Sequence, residues 1–138
     1  MELTRGSITI ASDIRGAMIA HAFDELPNEA CGLLAGRDGV PERIYRMRNA
    51  DDSPFTYRLD PNEQIRVFNQ IEDDGLELTA IYHSHTHTQA YPSETDRRQA
   101  FYPDAYYILI SLADRESPVI RGFSIRDETI EEQEVRFE

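Results

Sequence analysis

The sequence contains a single cysteine, Cys31, among 138 residues. One cysteine excludes a disulfide within the chain and leaves at most one thiolate for a metal ion. The neighbours of Cys31 are apolar, which favours a buried and inert thiol.

Long apolar runs are also missing. No segment approaches the roughly 20 consecutive apolar residues that span a bilayer. The first residues, Met1 to Gly6, lack the basic segment and apolar stretch of a signal peptide. We therefore expect a cytoplasmic protein that is not bound to a membrane.

Basic residues are scarce relative to acidic ones. The chain has 14 lysines and arginines against 26 aspartates and glutamates, so its formal net charge is −12. A field of this sign repels phosphate backbones and anionic lipid surfaces. The charge therefore argues against a nucleic-acid partner, and the acids are spread as on a solvated surface.

The length predicts one domain covering residues 1–138. The predicted elements are mostly strands, with one helix before the Glu29 strand, a second before the histidine strand and a short third after it. Predicted helices follow a possible Ser12 or Asp13 cap, the Asp60-Pro61 start and Ser93, and predicted strands cover 7–10, 30–35, 40–47, 55–59, 76–82, 105–111, 119–125 and 129–137. Ile65 is expected on the buried stripe of the second helix. The order predicts an α+β (mixed α/β) fold, a central β-sheet flanked by helices.

Two histidines stand at the end of a predicted strand. His83 and His85 are spaced i, i+2, so on an extended segment both imidazoles project from the same side and can reach one ion. A catalytic zinc keeps three protein ligands, and Asp96 is the natural third. Ser93 to Asp96 also has the form of a helix cap, so the two interpretations stand side by side.

The complete pattern is His83-Ser84-His85, seven residues, Ser93, two residues and Asp96. It resembles the signature of the JAMM (MPN+) metallopeptidases. The resemblance implies one catalytic zinc ion held by His83, His85 and Asp96, with Ser93 helping to hold the developing oxyanion. It also implies that Glu29, in an Asn-Glu-Ala-Cys-Gly segment, activates the water.

Within that family the segments 28–36, 57–60, 82–86, 90–93 and 104–109 are similar to the actinobacterial Mec+ peptidases. This similarity implies a partner, a small ubiquitin-like sulfur-carrier protein with a C-terminal Gly-Gly tail. It implies removal of a cysteine from that tail, in cysteine biosynthesis. Two alternatives stay open: a general deconjugase of lysine-linked ubiquitin-like proteins, and a catalytically silent scaffold. The additional His87 is expected to be an exposed loop histidine.

Overall fold

A computed structural model describes residues 6–138, and seven strands of this part form one sheet. The elements, in chain order, are β1 (Ser7–Ile10), α1 (Ser12–Asp24), β2 (Cys31–Arg37), β3 (Val40–Met47), α2 (Pro61–Asp73), β4 (Glu77–His85), α3 (Glu94–Arg98), β5 (Tyr106–Ser111), β6 (Val119–Arg126) and β7 (Thr129–Phe137). The predicted α+β class, with helices flanking a central sheet, is confirmed.

The strand order across the sheet is β1-β7-β6-β5-β4-β2-β3. Strands β4 and β5 are parallel, as are β1 and β7, and the other neighbours are antiparallel. A parallel pair needs a crossover connection, and the segment that joins β4 to β5 carries α3. This crossover brings α3 back beside the end of β4.

The two faces of the sheet are both covered. On one face Ile81 and Leu109 belong to a cluster that α2 completes, and on the other Tyr82 and Ile108 pack with α1. A strand that is buried on both faces has a continuous run of apolar residues. Such runs predicted the strands at 30–35 and 105–111. Because side chains alternate along a strand, His83 and His85 lie on the α2 face, together with Ile81.

The hairpin between β2 and β3 is confirmed. Asp38 and Gly39 both have positive φ, 55° and 77°, as a tight two-residue turn requires. The start of α2 is confirmed as well, because the Asp60 side chain accepts hydrogen bonds from the amides of Asn62 and Glu63.

Three local predictions are wrong. The N-cap of α1 is Ala11, and neither Ser12 nor Asp13 occupies that position. Residues 55–59 form no strand, since their backbone is held by side chains and by one isolated bridge between Asn49 and Leu59. The Ile65 side chain is 63% exposed, because the buried stripe of α2 runs through Ile71 and the half-buried residues beside it.

Within residues 6–138, no helix is long and apolar enough to cross a membrane.

Candidate metal centre

The ends of β4 and α3 bring three potential ligands together. The Nε2 atoms of His83 and His85 lie 3.0 Å and 2.9 Å from Oδ2 of Asp96. One ligand atom from each residue lies within 4.8 Å of the other two, and all three side chains are buried. The structure therefore places the three predicted ligand residues in one group.

Asp96 also caps α3. The Ser93 hydroxyl oxygen accepts a hydrogen bond from the Asp96 amide at 3.0 Å, and the Ser93 amide donates to Asp96 Oδ2 at 2.9 Å. These reciprocal bonds are a capping box. Capping and contact with the histidines therefore coexist, because the cap holds the carboxylate rigidly at the position where the two imidazoles converge.

The donor set fits a small cation. His85 Nδ1 lies 2.8 Å from the carbonyl oxygen of Gln89 and must donate to it. In a neutral ring Nε2 then carries a lone pair, which faces the lone pairs of Asp96 Oδ2. That approach is favourable when a proton or a metal ion lies between the two atoms. Tetrahedral zinc at about 2.0–2.1 Å from its ligands sets them roughly 3.3 Å apart, close to the observed spacing.

The titration of these groups follows from burial and from their mutual charge. Burial disfavours the charged form of His83 and lowers its pKa. Burial acts in the same direction on His85, but the hydrogen bonds to Asp96 and Gln89 raise its pKa overall. Burial opposes ionisation of Asp96, yet the field of His83 and the hydrogen bonds it accepts lower the pKa of the carboxyl group. An anionic Asp96 is the form that binds a metal ion.

Glu29 stands beside this group just before β2. Its side chain is 3% exposed, and Oε1 has no hydrogen-bond partner among the described residues. Burial raises the pKa of Glu29 to about 8, an effect that the charge on His85 opposes and the charge on Asp96 reinforces. A buried carboxyl oxygen without a partner is costly to stability and is typical of a functional position.

The backbone around Glu29 is held on three sides. Its amide donates to Ser53 O at 2.9 Å, and its carbonyl oxygen accepts from Asn49 Nδ2 at 3.1 Å. The next amide, of Ala30, donates to the hydroxyl of Ser84 at 2.8 Å. Ser84 stands between the two histidines, so Glu29 is tied directly to the strand that carries them.

Sequence reasoning gave no site role to two residues that build the site, although Tyr57 lies in a segment that resembles the family. The ring of Tyr57 stacks on His83 with centroids 4.2 Å apart and an interplanar angle of 22°. Asn49 is buried, and besides Glu29 its amide group donates to Thr56 O, while its Oδ1 accepts from the Asp51 and Arg58 amides. Their local sequences were interpreted as a strand and a turn. No pattern in either segment marks a contact so distant in the chain.

Two other candidates lie outside the group. His87 is exposed, as expected, and the three-residue metal group does not include it. Cys31 is buried, its thiol points to the carbonyl oxygen of Met47 at 3.9 Å, and burial raises its pKa to about 12. A neutral thiol of this kind is a poor metal ligand and a poor nucleophile.

The fold and the buried His-His-Asp group together define a JAB/MPN-type domain. The family described as prokaryotic homologs of the JAB domain matches residues 11–125, and the chain belongs to that family. The solved structure of a JAB1/MPN domain protein from Archaeoglobus fulgidus shares the fold, with a TM-score of 0.61 at 19% identity, over 93% of this chain and 98% of that one.

Closer similarities extend over most of the chain. A CysO-cysteine peptidase of Mycobacterium tuberculosis is 44% identical over 98% of this chain and 96% of its own length. A desampylase of Haloferax volcanii is 31% identical over 79% of this chain and 84% of its own. The solution structure of a Desulfitobacterium hafniense protein, 40% identical, superposes with a TM-score of 0.87 over 95% of this chain and 92% of that one.

Proposed function

We propose that this protein is a zinc-dependent hydrolase that cleaves the bond after the C-terminal Gly-Gly of a small ubiquitin-like sulfur-carrier protein and releases cysteine. The observation that carries the proposal is the 44% identity to a CysO-cysteine peptidase over nearly the full length of both chains. Release of free cysteine in this way would complete a route of cysteine biosynthesis.

The chemistry assigns a role to each side chain. His83, His85 and Asp96 would hold one zinc ion, which when bound supplies Lewis-acid activation of water and of the scissile carbonyl group. Glu29 would accept a proton from the attacking water at Oε1 and pass it to the leaving amine. Its burial and raised pKa support this role, because a base with a pKa near neutrality can both accept and return a proton.

Ser93 would donate a hydrogen bond to the oxyanion of the tetrahedral intermediate. Its oxygen accepts the hydrogen bond of the Asp96 amide, which leaves its own hydroxyl proton available. Ser93 is also exposed, so a substrate can reach it. A donor held by a helix cap is preorganised for a charge that develops only during the reaction.

A second candidate is a general deconjugase of lysine-linked ubiquitin-like proteins. It is favoured by the similarity to the Haloferax desampylase and to a probable TtuB-protein conjugate cleaving protease of Thermus thermophilus, which is 41% identical over 64% of this chain. Both candidates would act on a ubiquitin-like carrier at the same site, and they differ in the leaving amine. A silent scaffold is disfavoured, because a scaffold has no physical need for a buried glutamate whose Oε1 has no hydrogen-bond partner among the described residues, next to three converged ligands.

Mass spectrometry of a Gly-Gly-terminated carrier decides among these candidates. Zinc-loaded protein is incubated with the carrier bearing a C-terminal cysteine and, separately, with the carrier linked to a lysine side chain. We expect loss of the cysteine alone. Preferential cleavage of the lysine conjugate would favour the deconjugase, and no cleavage of either substrate would favour the scaffold. Glu29→Gln protein is the control for contaminating peptidase.

A further inference from the structure

Beside the metal group lies a cavity of about 260 Å³ that the chemistry described above does not use. We propose that this cavity is a specificity pocket for an apolar side chain of the carrier tail, immediately upstream of the two glycines. The inference rests on the proposed function, since it assumes a Gly-Gly tail at the metal. The inference adds a second part of the substrate that the enzyme would recognise, upstream of the two glycines.

The pocket adjoins the metal group through shared residues. Tyr57 lines it and also stacks on the ligand His83. Gln99 lines it and is the C-cap of α3, the helix that carries Asp96. Ile81 lines it as well and lies two residues before His83 on the same face of β4. The pocket and the ligands are therefore adjacent on one surface of the sheet.

The spacing along β4 between the pocket residue Ile81 and His83 is comparable with the length of two glycines. A strand advances about 3.3 Å per residue, so Ile81 precedes His83 by roughly 7 Å. Two extended residues of a substrate cover about the same distance. A tail whose last glycine carbonyl lies at the metal therefore brings its first side chains to the pocket. Glycines allow the close approach over the intervening surface.

The walls of the pocket select an apolar occupant. They are mainly aromatic and aliphatic: Tyr57, Ile81 and Tyr107 are buried, and Phe101, 73% exposed, forms part of the outer rim. The polar groups are largely engaged. Arg58 Nε pairs with Asp51 at 3.1 Å, and the Gln64 amide donates to the Tyr102 hydroxyl. When an apolar side chain covers an exposed phenylalanine next to a cavity, apolar surface is removed from water, which favours binding.

Short labelled peptides test the pocket. The probes end in Leu-Leu-Gly-Gly-Cys, Ala-Ala-Gly-Gly-Cys or Arg-Arg-Gly-Gly-Cys, and kcat/KM is measured with zinc-loaded wild type, Phe101→Ala and Phe101→Asp. We expect wild type to prefer the leucine peptide over the alanine peptide about tenfold, mainly through KM, which corresponds to partial burial of the added methylenes. Phe101→Ala should reduce this preference below about threefold. Phe101→Asp should instead favour the arginine peptide.

The matched control is Phe23→Ala. Phe23 is also a partly exposed phenylalanine, but it lies on α1, on the opposite face of the sheet. This variant should keep the wild-type preference. A wild type with no preference, or a preference unchanged in both Phe101 variants, would overturn the pocket while leaving the proposed function intact.

Failure of the proposed function is recognised separately. If zinc-loaded wild type cleaves none of the peptides, hydrolysis after Gly-Gly is refuted for these substrates, and the pocket is judged by fluorescence anisotropy with zinc-loaded Glu29→Gln protein. The pocket would be supported if the leucine peptide bound more tightly than the alanine peptide and if this difference disappeared in the Glu29→Gln, Phe101→Ala double variant. Equal affinities, or no binding of any probe, would overturn it.

Discussion

Ser84 and Ala30 exchange two hydrogen bonds. The Ala30 amide donates to the Ser84 hydroxyl oxygen at 2.8 Å, and the Ser84 amide donates to the Ala30 carbonyl oxygen at 3.0 Å. Ser84 separates the two candidate histidine ligands, and Ala30 follows the candidate base. This pair thus sets the position of Glu29 relative to His83 and His85, and the predictions below examine each part of that arrangement.

The protein should bind one zinc ion per chain, and the His83→Ala, His85→Ala double variant should bind none, because Asp96 alone is a weak ligand. Cys31→Ala is the control and should retain one zinc ion. Elemental analysis after dialysis measures the stoichiometry. Chelation should abolish hydrolysis and added zinc should restore it. Full zinc content in the double variant would show that the ion binds elsewhere.

Glu29→Gln should retain zinc and the fold but lose roughly 10²–10⁴ in kcat, since the amide keeps the shape of the side chain without its basic oxygen. Glu94→Gln, which changes an exposed acid on α3, is the control and should remain close to wild type. Steady-state kinetics and zinc analysis are measured on the same preparations. Wild-type turnover in Glu29→Gln would exclude Glu29 as the base.

Ser93→Ala and Ser93→Gly separate catalysis from capping. Alanine at an N-cap costs about 1 kcal/mol of stability, whereas glycine costs only a few tenths. Both substitutions remove the hydroxyl group, so both should reduce kcat by roughly 10²–10³ if it donates to the oxyanion. Urea denaturation measures the first effect and kinetics the second. If activity followed stability, with Ser93→Gly nearly normal, the serine would be a cap and nothing more.

Asn49→Asp should impair catalysis without loss of zinc. The carboxylate keeps the acceptor for the Asp51 and Arg58 amides but loses the donors to Glu29 O and Thr56 O. Each buried carbonyl group left without its donor costs about 1–3 kcal/mol, so the loop should loosen around Glu29. We expect a lower free energy of unfolding, a lower kcat and unchanged zinc stoichiometry. Simultaneous loss of zinc would mean that Asn49 supports the whole site.

His21 should make the stability of the protein depend on pH. Its side chain is 2% exposed, and its Nδ1 lies 2.6 Å from the Tyr82 hydroxyl. Burial, helped by Arg46 and opposed by Asp24, lowers the pKa of His21 from 6.5 to about 4. The unfolded chain therefore binds the proton more tightly. The contribution of neutral His21 to the free energy of unfolding is complete above pH 6.5. It decreases as the pH falls toward 4, by roughly 3 kcal/mol in total.

Urea denaturation of metal-free protein between pH 4 and 7 measures this effect. His21→Gln should have a shallower dependence of the free energy of unfolding on pH, whatever its absolute stability. Parallel curves for the two proteins would contradict a lowered pKa of His21. Metal-free samples are needed because any binding of zinc by His83 and His85 would itself depend on pH.

Local sequence determined those parts of this protein that depend on neighbouring residues. The Asp60-Pro61 start of α2, the Asp38-Gly39 turn, the buried strands and the capping form of Ser93 to Asp96 each follow from a few adjacent side chains. The i, i+2 spacing places both histidines on one face of β4 for the same reason. The resemblance to a known metal signature added the candidate roles of the site residues, which local patterns do not contain.

Only the tertiary structure decided which distant segments meet. Glu29 reaches the histidines because β2 pairs with β4 in a register that sets Cys31 opposite His83, and strand composition does not encode that register. Tyr57 lies on His83 in a segment whose strand-like residues form no strand, and Asn49, in the turn before that segment, holds Glu29. The Asn49 side chain satisfies backbone groups there that a neighbouring strand would otherwise bind. The fit of such a loop against the sheet depends on packing across the whole domain, and no local pattern records it.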